Sequence, residues 1–373
     1  MKGSSITEFF MPLEDPRVAR TQRHAFQSII VIAICAIVCG ADSWVAVEEY
    51  GKAKLEWFKT FLDLENDIAS HDTFGRVFAA LDPDKFCECF MKWIEYLAKT
   101  VLGDIISIDG KTLRKSFDKA SSKAAIHMVS AWSSANQLVL GQIKTEDKSN
   151  EITAIPKLLE LIVVKGAIVT IDAMGCQKKI VEKIIDKEAD YVIGLKGNQG
   201  NLLEEVEDYF KYADSNNYAG ITHDYYEEID AGHGRIETRR VWSTGDIDWS
   251  EEKNKWKGLD SIVKVESTRE IGDDKSVETR FYISSLDGTD AKKAHTAIRS
   301  HWGIENNLHW QLDVSFSEDQ CRVREGYAAE NFSTLRKIAL SLLQKEKTAK
   351  CGINNKRLKA GWDERYLLKV LQI

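Results

Sequence analysis

The sequence is poor in the features that mark linkers, membrane spans and the common cofactor sites. Only four of its 373 residues are proline and no tract is compositionally biased, which excludes a long low-complexity linker. The strongly apolar run at residues 29–39 is shorter than the ~20 residues that cross a bilayer. It also starts too far along the chain for a signal peptide, so it reads as a buried helix. The seven cysteines form no paired CxxC spacing, which argues against a structural zinc and fits the reduced thiols of a cytosolic protein. No GxSxG elbow, HExxH helix or GxxxxGK[ST] loop occurs, so serine-hydrolase, zinc-protease and P-loop chemistries lack their anchoring residues. Positive charge is also short: 51 Lys and Arg face 58 Asp and Glu, a net charge of −7. Taken alone, that balance opposes a nucleic-acid partner, whose binding rests on neutralising phosphates.

What is present is a soluble globular composition, 43% apolar and 29% charged, long enough for two domains or one elaborated domain. Residues 1–100 read as helical, with apolar positions three and four apart over 43–62 and 70–81. Ser70-His71-Asp72 is the expected N-cap region of one helix there, and Asp82-Pro83 separates it from the next. Such a helical unit suits either DNA binding or simple packing. From residue 104 the pattern becomes strand-like: 105–109, 126–132 and 138–144, then a helix over 151–163, a strand ending at Asp172, a helix over 176–187 and a strand over 190–195. The order β-β-β-α-β-α-β predicts an α/β fold, a ribonuclease-H-like mixed sheet flanked by helices. Strand-like runs within 222–286 predict an antiparallel, β-rich insertion. Helices resume over 291–313 and 327–345. The expected organisation is an N-terminal helical domain (1–100), the first part of the core (101–220), the insertion (221–290), the rest of the core (291–345) and a helical tail (346–373).

The chemistry is expected where two β-branched runs meet aspartates, Ile108-Asp109-Gly110-Lys111 and Ile171-Asp172-Ala173. On parallel neighbouring strands the two carboxylates would sit side by side and repel unless a cation lay between them. A third acid is then needed. Glu305 supplies it, on a helix where His301, Glu305, His309 and Asp313 recur every four residues beside an apolar stripe. Glu318 and Asp319 are the fallback acids. A zinc site from His301, Glu305 and His309 is disfavoured, because three ligands strung along one helix span too far for one ion. Asp, Asp and Glu are hard oxygen donors that suit magnesium, with manganese as the alternative, and two such ions suit in-line phosphoryl transfer. A haloacid-dehalogenase-type phosphatase would need an Asp at position 111, which is Lys.

Further stretches extend the pattern: His71-Asp72-Thr73-Phe74, Lys148-Ser149-Asn150-Glu151-Ile152, Leu195-Lys196-Gly197-Asn198-Gln199, Gly232-His233-Gly234-Arg235-Ile236-Glu237 and His301-Trp302-Gly303-Ile304-Glu305. With them the chain resembles, over nearly its whole length, the DDE transposases of the ISAs-type, H-repeat-associated insertion sequences. The resemblance implies an Asp109, Asp172, Glu305 triad that binds Mg2+ or Mn2+ and cuts and joins double-stranded DNA at element ends and targets. It also implies a homodimer in the active complex, and a bacterial, cytoplasmic, nucleoid-associated setting without a membrane. Lys111, Arg114, Lys196, Asn198, Gln199, His233, Arg235, Arg299 and His301 are the expected DNA contacts. Where related transposases often carry Tyr, Arg and Lys around the Glu, this chain has Ile298, His301 and Leu312. The alternative reading is a decayed or domesticated copy that binds DNA without cutting it.

Overall fold

The computed structural model describes residues 6–99, 101–117, 124–146, 150–232 and 234–372. Nine strands form one mixed sheet: β1 (Ile105–Thr112), β2 (His127–Ser133), β3 (Leu138–Lys144), β4 (Ile168–Ile171), β5 (Asp190–Leu195), β6 (Asp224–Gly232), β7 (Arg235–Thr244), β8 (Ser261–Ile271) and β9 (Asp274–Ser284). Their order is β3-β2-β1-β4-β5-β9-β8-β7-β6. The first three strands are antiparallel, and β1, β4 and β5 run parallel. This is the ribonuclease-H-like arrangement. β1 and β4 are buried on both faces over Ile105–Ile108 and Ile168–Ile171, as parallel strands between helical layers must be.

The β-rich segment is no separate sheet. β9 pairs antiparallel with β5 from Val192↔Ser284 to Leu195↔Phe281, so β6–β9 extend the core and cover an edge that would otherwise expose unpaired backbone groups. Asp274–Arg280 of β9 runs on past the end of β5, so the ribbon overhangs the end of the sheet where Asp172 lies.

Helices Glu151–Leu161, Lys178–Asp186 and Gly200–Ser215 pack on one sheet face. The other face carries Ala291–Ile304 and Ala328–Lys345. The first hundred residues share a core with the chain's last segments. The Phe26–Val38 helix is buried along almost its entire length and packs against Ala328–Lys345. Leu367, Val370 and Leu371 join the same cluster. At 13 residues, Phe26–Val38 is a core helix, and no helix of the described residues is long and apolar enough to cross a membrane.

Local signals set the helix starts. Ser70 accepts the Thr73 N–H at the head of His71–Ala80. Asp82 caps Pro83–Leu97 with proline in the first turn, where its missing N–H costs nothing. The other end of His71–Ala80 is held from a distance: the buried Asn331 amide donates to the carbonyls of Phe78 and Leu81, both at 2.8 Å. Asn331→Leu leaves both carbonyls buried and unpaired, and is expected to remove about 1–3 kcal/mol, read as a lower urea midpoint at unchanged m-value.

Candidate active site

β1 does not stop at Asp109. It continues to Thr112, with burial fading from Asp109 onwards, so the carboxylate leaves the strand where the core opens to solvent. β1 and β4 align Ile108 with Ile171, which places Asp109 and Asp172 as lateral neighbours one residue further on. Asp172 accepts the backbone N–H groups of Met174 (3.0 Å) and Gly175 (3.3 Å) through Oδ1, capping the turn Ala173–Gly175. Its orientation is therefore fixed by backbone.

Glu305 comes over the pair from above. The helix carrying it is not one regular element: Ala291–Ile304 passes into a π-helical turn, Glu305–His309, before Trp310–Phe316. Such turns insert an extra residue and re-aim side chains, often at functional sites. Carbonyls of this turn are taken from outside, Asn307 by Gln344 Nε2 at 3.1 Å and His309 by Lys111 Nζ at 3.5 Å. A polar seam seats the helix on the sheet. Ser107 donates to the Ser300 carbonyl at 3.3 Å, Thr170 donates to Ser107 at 3.2 Å, and His301 Nδ1 lies 3.1 Å from the Thr170 hydroxyl. Ser107 and Thr170 are register partners on β1 and β4, so the seam fixes Glu305 relative to both aspartates.

The three acids line one cleft of about 640 Å³, together with His301, Trp302, Lys196 and Arg280. Asp109 and Glu305 of this lining, with the buried His309 behind them, offer donor atoms all within 4.8 Å of one another. Burial, reinforced by the Glu305 carboxylate, pushes Asp109 from 3.8 up to about 8. Glu305 is held low, chiefly by His309. Two carboxylates held this close resist ionising together. His301 is held below its ordinary value by burial.

The sign of the Asp109 shift gives a pH prediction. A raised carboxyl contributes stability that is present below its unfolded value of 3.8 and lost as pH rises through about 8. A cation bound there would compete for the same oxygens, so the rise in melting temperature on adding excess Mn2+ should be larger at pH 8 than at pH 6. An equal rise at both pH values would dissociate the cation from Asp109.

The basic residues divide. Lys111 does not face outward: its ammonium is paired with Asp313 and lies 3.3 Å from Glu318 Oε2. It shares the Asp109 face of β1, and the Trp310–Phe316 helix covers that face. Asn198 and Gln199 donate to the carbonyls of Ala173 and Cys176, both at 2.8 Å, clamping their loop onto the Asp172 turn. Arg114 is exposed beside Asp319 at 3.3 Å, Lys196 is exposed at the cleft, and Arg299 is exposed on the Glu305-bearing helix. Arg235 pairs with Glu237 at 2.9 Å near the tip of the ribbon. His233 and Lys148-Ser149 lie outside the described residues. Of the fallback acids, Glu318 is buried and committed to Lys111 and Arg336.

Charge and spacing did not reveal three residues beside the site. Ser107 and Thr170 read as ordinary strand residues. Glu151, whose carboxylate meets His127 Nε2 at 2.7 Å, sits against Gly110, where a Cβ would collide with both side chains. Gly110→Ala is accordingly expected to displace the Glu151–His127 pair and perturb the neighbouring Asp109, seen as a changed Mn2+ affinity with little change in the far-UV spectrum.

Known proteins place this architecture in a class. Residues 102–342 match the family described as Transposase DDE domain, and residues 7–94 match its companion, described as DDE_Tnp_1-associated. The chain belongs to the DDE transposase family, in its H-repeat group. It is similar to the H repeat-associated protein YhhI of Escherichia coli K12, 43% identical over 379 aligned positions spanning 100% of this chain and 98% of that one. Protein YbfL of the same strain is 44% identical with the same coverage. A solved piggyBac transposase synaptic complex with hairpin DNA aligns at a TM-score of 0.42 and 11% identity, covering 95% of this chain and 74% of that one.

Proposed function

We propose that this chain cuts and joins DNA at the ends of its element by in-line phosphoryl transfer, with Asp109, Asp172 and Glu305 as the catalytic carboxylates. The observation that carries the reading is the convergence of these acids, from three separate segments, on one open cleft. The donor set fits a divalent cation: its oxygens are hard, and Asp109 and Glu305 bring two carboxylates within 4.8 Å of each other. When bound, Mg2+ or Mn2+ would activate the attacking oxygen and stabilise charge on the leaving one. The chain's own contribution is placement. Asp172 is locked by backbone N–H groups, the Ser107–Thr170 seam fixes the height of Glu305 above the strands, and Lys196 offers a charge to phosphate at the rim. On this reading two copies of the chain handle terminal inverted repeats and target DNA in the bacterial cytoplasm.

The test is strand transfer with the DNA that flanks the gene in its host, on supercoiled plasmid with Mg2+ or Mn2+. Joined products are expected. Plasmid left intact with both ions would assign the chain to DNA binding without cleavage.

A further inference from the structure

The two histidines of the Glu305-bearing helix are in unlike situations. His301 turns its Nδ1 to Thr170 and belongs to the seam. His309 is only 6% exposed. Its Nδ1 stands 3.4 Å from Glu305 Oε2 and 3.5 Å from Asp109 Oδ2, and its Nε2 is buried with no hydrogen-bond partner. A charge-assisted N–H···O bond closes to about 2.7–2.9 Å, and neither contact does. Donors about 2.1 Å from one ion lie between about 3 Å apart at right angles and about 4 Å apart when opposite, and both imidazole distances fall in that range. Asp172 is not part of this cluster.

We propose that His309 is a ligand of the cation held between Asp109 and Glu305, giving that position one nitrogen donor beside carboxylate oxygens. This rests on reading the cleft as cation-dependent, and goes beyond the three-acid triad. Glu305 and His309 stand four residues apart, at the two ends of the π turn and on one side of the helix, and Lys111 and Gln344 hold carbonyls of that turn. An imidazole donor shifts preference from magnesium toward softer divalent ions, so the position favours Mn2+ over Mg2+ more than an all-oxygen site would.

Mn2+ alone, added to the full chain, tests this by pulsed electron paramagnetic resonance and calorimetry. Bound Mn2+ should show ¹⁴N coupling in the wild type. His309→Gln should lose the coupling and bind Mn2+ roughly tenfold more weakly. His309→Asp, an oxygen donor, should recover affinity without coupling and narrow the Mn2+ to Mg2+ ratio, and melts without cation establish that both variants fold. Failure of the wild type to bind Mn2+, absence of coupling in the Mn2+-loaded wild type, or coupling that survives in His309→Gln overturns the assignment. Plasmid cleavage is scored separately. A wild type that shows nitrogen coupling yet cuts no DNA supports the His309 ligand and refutes the proposed function.

Discussion

On the proposed function, Asp109→Asn and Asp172→Asn are each expected to leave supercoiled plasmid uncut, while the folded protein should still bind DNA. Each substitution keeps shape and removes one formal charge from the proposed cation site. The loss of several kcal/mol of transition-state stabilisation corresponds to a fall of at least about 10³-fold in cleavage. The fold should not suffer. Asp109 is mostly buried against another carboxylate, so Asp109→Asn relieves repulsion and should melt at the same temperature or higher in the absence of cation. Activity lost with stability retained separates a functional acid from a structural one. Nicking that persists in either variant would remove these residues from the chemistry.

Glu318→Gln is expected to do the opposite, with a stability loss of about 3–5 kcal/mol. Glu318 is 2% exposed. It accepts from Ser333 at 3.2 Å and faces Lys111 at 3.3 Å and Arg336 at 3.8 Å. Lys337, fully buried nearby, is pushed down to about 8 by desolvation and partly restored by Glu318. Removing the one carboxylate leaves three cations clustered in the interior with only Asp313 close to one of them. The neighbouring cations hold Glu318 below its ordinary value despite burial. Its stabilising contribution is therefore present above the unfolded value of 4.5 and lost as pH falls through the folded one. Urea unfolding at neutral pH measures the loss. A difference under about 1 kcal/mol would mean that water reaches these charges.

Much of the sheet was legible because strands buried on both faces leave an unmistakable run of β-branched residues, and their order limits the topology. Ile105–Ile108 and Ile168–Ile171 are such runs, and the aspartates follow where they end. The ribbon's attachment was not legible. Pairing of β9 with β5 joins residues some ninety positions apart, and alternation along a strand does not say which edge it meets. The π turn was hidden for another reason: Glu305 and His309 are four apart in an α-helix and in a π turn alike. Charge alone did not show that Lys111 is paired with Asp313, although its i, i+2 relation to Asp109 already placed it on the same face of β1. Asn198 and Gln199 look like ligand-binding amides in sequence, and only the fold reveals the carbonyls of Ala173 and Cys176 that they hold.

The core shared by the two ends of the chain bears on synthesis. The Phe26–Val38 helix leaves the ribosome early with scarcely a polar side chain, yet much of its cover is Ala328–Lys345, translated some three hundred residues later. Until then its apolar surface must be tolerated or shielded by chaperones. A copy halted by a premature stop before residue 328 never receives that cover. Such a fragment should be cleared by proteases rather than accumulate as a free-standing N-terminal module.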